Sequence, residues 1–138
     1  MKGDQIHYRA GYKYQLDFTY SLKIPIYPPG DVACEFISLS KDGLLVITEG
    51  YAWDGASGPT IDTASSMRGS LVHDALYQLM RQGLLPHTWR AAADDVLFRL
   101  CVEDGMFRWR AWLWRKMVGE FADPASRHEN DNPVEIAP

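Results

Sequence analysis

Cysteine is scarce in this chain: Cys34 and Cys101 are the only two in 138 residues, and neither has the short spacing to another Cys or His that a zinc site uses. A disulfide framework is not indicated, and two reduced, mostly buried thiols are expected. Long apolar runs are also missing. No stretch reaches the roughly 18 apolar residues of a membrane span, and the start, Met1-Lys2-Gly3-Asp4-Gln5-Ile6-His7-Tyr8, has no apolar core of the kind a secretory signal needs. The expectation is a soluble protein of the cytoplasm. Positive charge is not in excess either: the formal net charge is −4, which sets aside a protein whose main business is coating nucleic acid. Nothing repeats internally.

What is present suffices for one core. A chain that is 46% hydrophobic and 12% aromatic folds as a globular domain. Residues 1–121 are expected to form a single α+β domain, and the polar, proline-containing stretch 122–138, without periodicity, an irregular or disordered tail.

The first half reads as strands. Tyr14-Gln15-Leu16-Asp17-Phe18-Thr19-Tyr20 alternates with period two, Leu22 to Ile26 is a short run broken by Pro25, which implies an edge, and Pro28-Pro29-Gly30-Asp31 signals a turn. Cys34 to Ser40 and Leu44 to Thr48 flank Lys41-Asp42-Gly43, the pattern of a hairpin. A small antiparallel sheet follows, with Glu35, Ser38 and Lys41 on a wet face and helices covering the other.

From Ser65 the period becomes helical. Three helices are predicted, at about 65–82, 88–104 and 106–120, with Gly83 and Gly105 as stops and Pro86 and Thr88 marking the second start.

Placing residues at about 100° per step around each helix locates the chemistry. On the first helix Leu71, Val72, Ala75, Leu76, Leu79 and Met80 make one apolar arc. His73 lies half-buried at its edge, on a stripe with Ser66, Ser70 and Tyr77, while Asp74 and Arg81 point toward polar surroundings. On the second helix Trp89, Ala91, Ala93, Val96, Leu97, Phe98, Leu100, Cys101 and Val102 cover most of the circumference, and Asp94 falls inside that arc. Asp95, with Arg99 and Glu103, sits at its boundary. A carboxylate on an apolar face costs several kcal/mol unless paired or bound to a cation. The short Gly83–His87 connection makes the two helices antiparallel and brings His73 and Asp94 to similar heights, so His73 is the partner expected.

The stretch Trp53-Asp54-Gly55-Ala56-Ser57-Gly58-Pro59, a fixed-turn composition, feeds the first helix. Two readings stand side by side. In one, a His–Asp hydrogen bond fastens two helices, and Asp54 and Ser57 cap local backbone groups. In the other, His73 and Asp94, with Asp54 and Ser57 delivered by the loop, form a pocket that activates water or holds a metal, the ligands being His73, Asp94 and Asp54 and the ion zinc or manganese. His87 is a further nitrogen for such a site. His7 and His128 are expected on the surface. Ser57 as a nucleophile activated by His73 and oriented by Asp94 is a weaker option, because Gly55-Ala56-Ser57-Gly58 does not match the nucleophile elbow. The His73-Asp74 dipeptide matches metal-dependent phosphohydrolases poorly, since only His7 precedes it and that lies in a strand region.

The run Trp53 to Pro59, then Arg68-Gly69-Ser70-Leu71-Val72-His73-Asp74-Ala75-Leu76-Tyr77, then Ala93-Asp94, resembles the phage and prophage family called domain of unknown function 1353 over about residues 35 to 106. The resemblance implies a phage or prophage origin and a shared site at Trp53, Gly55, Ala56, Ser57, His73, Asp74, Tyr77 and Asp94. It implies no activity. Asp95 stands directly after Asp94, and only the helical wheel assigns the motif position to Asp94.

Three of the five tryptophans fall in the third helix. Trp109, Leu113, Met106 and Met117 are expected to make its apolar face, widened by Trp114, Phe107 and Val118, with Arg108, Trp112, Arg115 and Lys116 elsewhere. So much aromatic surface either closes the core under arginine stems or faces a partner or membrane surface.

Two function classes follow. One is a small hydrolase with Asp54, Ser57, His73, Asp74, Tyr77 and Asp94 at its site, acting on the cell wall or a phosphoester. The other is a non-enzymatic virion or assembly component, or an inhibitor of a host protein. Either works in the host cytoplasm or on the virion.

Overall fold

The computed structural model describes residues 5–9, 14–53 and 64–121. Its strands are β1 (Tyr8–Arg9), β2 (Tyr14–Leu16), β3 (Tyr20–Lys23), β4 (Val32–Ala33), β5 (Ile37–Leu39), β6 (Leu44–Ile47) and β7 (Ala52–Trp53). Three helices follow, α1 (Ala64–Arg81), α2 (Arg90–Glu103) and α3 (Arg108–Phe121). The class is α+β. The described strands fall in one compact unit and the helices in another.

The Lys41-Asp42-Gly43 hairpin forms as its residues require. β5 and β6 pair antiparallel with Leu39 opposite Leu45 and Ile37 opposite Ile47, all four buried. Gly43 takes φ +91°, and a Cβ there would meet the carbonyl oxygen of Ile24 at 2.3 Å, so the turn needs glycine for its conformation and for its neighbour. β3 lies at one end of the β3-β6-β5-β4 sheet, the edge that Pro25 implied.

The single sheet expected from sequence is two. Residues 14–20, which alternate as one strand, bend at Asp17 and Phe18; β2 joins β1 and β7, while β3 joins β6. Leu16 and Tyr20 are buried as their spacing demands, but Phe18 between them is exposed. The corner is held by backbone bonds, Leu16 N–H to Tyr51 O and Gly50 N–H to Leu16 O at 2.8 Å each, and by the Thr19 hydroxyl accepting from Glu49 N–H at 3.1 Å. Around β1, β2 and β7 the rings of Tyr8, Tyr14, Tyr51 and Trp53 pack, with centroids 5.5 to 6.5 Å apart.

In the helical unit both glycine stops are Schellman ends. Gly83 (φ +76°) donates to Met80 O while Leu84 donates to Leu79 O; Gly105 (φ +105°) donates to Val102 O while Met106 donates to Cys101 O. A 3₁₀ turn, His87–Trp89, precedes α2. Met106 then joins Leu97, Cys101, Ala111 and Trp114 in a buried cluster between α2 and α3, with Phe98, Val102 and Val118 at its margin.

The face of α3 differs from the one expected. Met106 and Trp114 are buried as expected and Ala111 turns inward with them, whereas Trp109, Leu113 and Phe107, expected on the apolar face, are exposed, as is Trp112, expected outside it. Both faces of this helix carry large apolar residues, so periodicity could not choose between them; the face that packs with Leu97 and Cys101 of α2 is the one carrying Ala111 and Trp114.

Candidate site between the first two helices

α1 is the buried element of its unit: 14 of its 18 residues are inaccessible, including Ser66, Arg68, Ser70, His73 and Gln78. Its contacts with α2 run in opposite sequence directions, Arg68 meeting Asp104, Gly69 meeting Cys101, and His73 meeting Asp94, so the two helices are antiparallel, as the short connection requires. Gly69 lets them approach closely. A Cβ at that position would lie 2.8 Å from Cys101 Sγ and 3.1 Å from Leu97 Cδ1.

Midway along this contact His73 Nε2 lies 2.7 Å from Asp94 Oδ1. Tyr77, one turn on from His73, donates its hydroxyl to the same oxygen at 2.8 Å. The His73 and Tyr77 rings sit against one another, with centroids 4.2 Å apart. His73 and Asp94 are only 7% and 4% exposed, so this carboxylate inside an apolar helix face is paired rather than left alone. His73, expected half-buried, is buried outright.

The geometry constrains the imidazole. A carboxylate facing Nε2 keeps a proton on that nitrogen, which leaves Nδ1 as the basic one. Nδ1 has no hydrogen-bond partner among the described residues. Tyr77 limits the ring on one side and Asp94 at one end, so the histidine is oriented, as a general base must be.

Asp95 is exposed, and Arg115 Nε donates to it at 2.7 Å, the solvated role expected of it. Asp74 is partly buried on α1, and His87 is exposed on the 3₁₀ turn. Among the described residues no three His, Cys, Asp or Glu side chains converge. Asp54, Ser57, Gly55 and Ala56 lie outside the described residues; Trp53 is buried at the end of β7.

Sequence reasoning missed the clamp one end of the same contact carries. Arg68, 3% exposed, forks onto Asp104, Nε to Oδ2 and Nη2 to Oδ1 at 3.0 Å each, and Nη2 also donates to Glu103 Oε1 at 2.9 Å. An arginine three and four residues before Leu71 and Val72, on the apolar arc of α1, was the available signal, since its charge requires acidic partners there. Beside it, burial and then the negative charge of Asp104 push the Cys101 thiol up to about 12.

The chain matches no family model, no curated protein and no solved structure.

Proposed function

We propose that this chain is a small phage- or prophage-encoded hydrolase in which His73, oriented by Asp94 and Tyr77, activates a water or binds a divalent metal for attack on a cell-wall bond or a phosphoester. The observation that carries the reading is the 2.7 Å contact of His73 Nε2 with Asp94 Oδ1 on a buried helix pair. It supports the water-activating branch more directly, because Nε2 is occupied by the carboxylate and Nδ1 is left as the base. In the metal branch the ion would be zinc or manganese with His73 and Asp94 as ligands, while Asp54, expected from the sequence as a third, lies outside the described residues. The phage origin, and roles for Ser57 and Asp74, rest on the sequence resemblance to the domain of unknown function 1353 family.

The test is hydrolysis of a chromogenic phosphodiester and of purified peptidoglycan by the full chain, beside His73→Ala and Asp94→Asn, with elemental analysis of protein purified without chelator. Loss of at least about a hundredfold in rate in folded His73→Ala supports the proposal. Undiminished hydrolysis in that variant, or none by the unaltered chain on either substrate with or without added metal, overturns it. The non-enzymatic reading, a virion component or an inhibitor of a host protein, draws support from the exposed tryptophans of α3.

A further inference from the structure

The outward side of α3 is the most unusual surface among the described residues. Trp109 is 67% exposed, Trp112 52% and Leu113 44%, and Phe107, just before the helix, is 73% exposed. At about 100° per residue, Arg108, Trp112, Lys116, Trp109 and Leu113 form one continuous stripe opposite the buried Ala111 and Trp114. Scattered exposed apolar residues are ordinary in a monomer, but two tryptophans and a leucine on adjacent turns make a contiguous patch.

Charge narrows the choice of occupant. Residues 106–118 hold four basic side chains and no acidic one, in a chain whose net charge is −4. Arg115 is engaged with Asp95, but Arg108 and Lys116 lie on the outward stripe itself, Lys116 Nζ 5.3 Å from the Trp112 ring centroid and Arg108 Cζ 5.6 Å from that of Phe98. A second copy of the same stripe would set cation against cation. A lysine amid a protein–protein interface core is disfavoured, whereas at a lipid headgroup layer the ammonium remains hydrated and tryptophan indoles occupy the polar–apolar boundary. No helix among the described residues is long and apolar enough to cross a membrane, so α3 would lie along the surface.

We propose that the Arg108-Trp109-Trp112-Leu113-Lys116 face of α3 docks the protein on an anionic phospholipid surface, with Trp109, Trp112 and Leu113 entering the headgroup layer and Arg108 and Lys116 meeting lipid phosphates. This membrane site is separate from the His73–Asp94 contact and independent of any activity there.

The test is co-sedimentation of the full chain with phosphatidylcholine vesicles and with vesicles containing phosphatidylglycerol, read alongside tryptophan fluorescence. Expected are binding to the anionic vesicles and a blue shift from Trp109 and Trp112. Each cation near the surface contributes roughly fivefold in affinity. Lys116→Glu should therefore weaken binding by about tenfold or more, and about 1 M salt, where the Debye length falls to about 3 Å, should weaken it too. Trp109→Ala/Trp112→Ala should lose binding while keeping its far-ultraviolet circular dichroism; if that double variant unfolds, Lys116→Glu decides. Failure to bind anionic vesicles, equal binding to both vesicle types, or binding unchanged by Lys116→Glu overturns the proposal, and co-elution with an acidic protein in the absence of vesicle binding reassigns the face to a protein partner.

Discussion

His73 on α1 and Asp94 on α2 are joined at 2.7 Å, and the same carboxylate oxygen takes the Tyr77 hydroxyl at 2.8 Å. One buried oxygen thus anchors two side chains of the neighbouring helix. Asp94→Ala removes the acceptor that His73 and Tyr77 share and should cost about 2–4 kcal/mol in urea denaturation. Asp94→Asn retains one acceptor oxygen and should cost less, about 1–2 kcal/mol. A loss under about 1 kcal/mol in the alanine variant would contradict this account.

Gly69 tests the closeness of the two helices. Alanine has the better helix propensity by about 1 kcal/mol, yet its Cβ would sit 2.8 Å from Cys101 Sγ. Gly69→Ala should therefore destabilise by about 1–3 kcal/mol. Adding Cys101→Ala, which removes the sulfur, should recover part of the loss, and the double-mutant cycle measures how much of it is this contact.

Cys101 also predicts a pH dependence. Its thiol is raised from 9.0 to about 12 in the folded chain, first by burial and then by Asp104. Between those values the unfolded chain has released the thiol proton and the folded chain has not, so this group lowers stability as pH rises through that window. Thermal melts at increasing alkaline pH should fall less steeply in Cys101→Ala. Under native conditions near neutral pH, a thiol reagent should modify the partly buried Cys34 and leave Cys101 untouched until unfolding.

On α3, neighbouring tryptophans should behave oppositely. Trp114 is 3% exposed and its truncation to alanine should cost about 3–5 kcal/mol. Trp112→Ala should shift the melting temperature little, since its ring faces outward. Equal losses in the two variants would show that Trp112 is buried in solution.

Arg68 should be far less replaceable than Glu103. Arg68→Ala leaves the partly buried Asp104 uncompensated beside an emptied volume, and about 3 kcal/mol of stability should be lost. Glu103→Gln, at a half-exposed position, should cost under about 1 kcal/mol by chemical denaturation.

Local signals in the sequence determined much of this. The Lys41-Asp42-Gly43 turn, the edge at Pro25, the stops at Gly83 and Gly105 and the burial of Asp94 within an apolar arc all follow from interactions over a few residues: a positive φ, a missing N–H, a helical repeat. The His73–Asp94 pairing was legible for the same reason, because a buried carboxylate requires a partner and a short connection leaves few. Tertiary structure decided the rest. It broke residues 14–20 into strands of two sheets, since alternation is the same on either side of a corner. It also turned Ala111 inward beside Trp114 and left Trp109 and Leu113 outside, since a helix apolar on both faces is oriented only by what fits against its neighbour. And it placed Arg68 on Glu103 and Asp104, 35 and 36 residues away, an ion pair that exists only once α1 and α2 lie antiparallel.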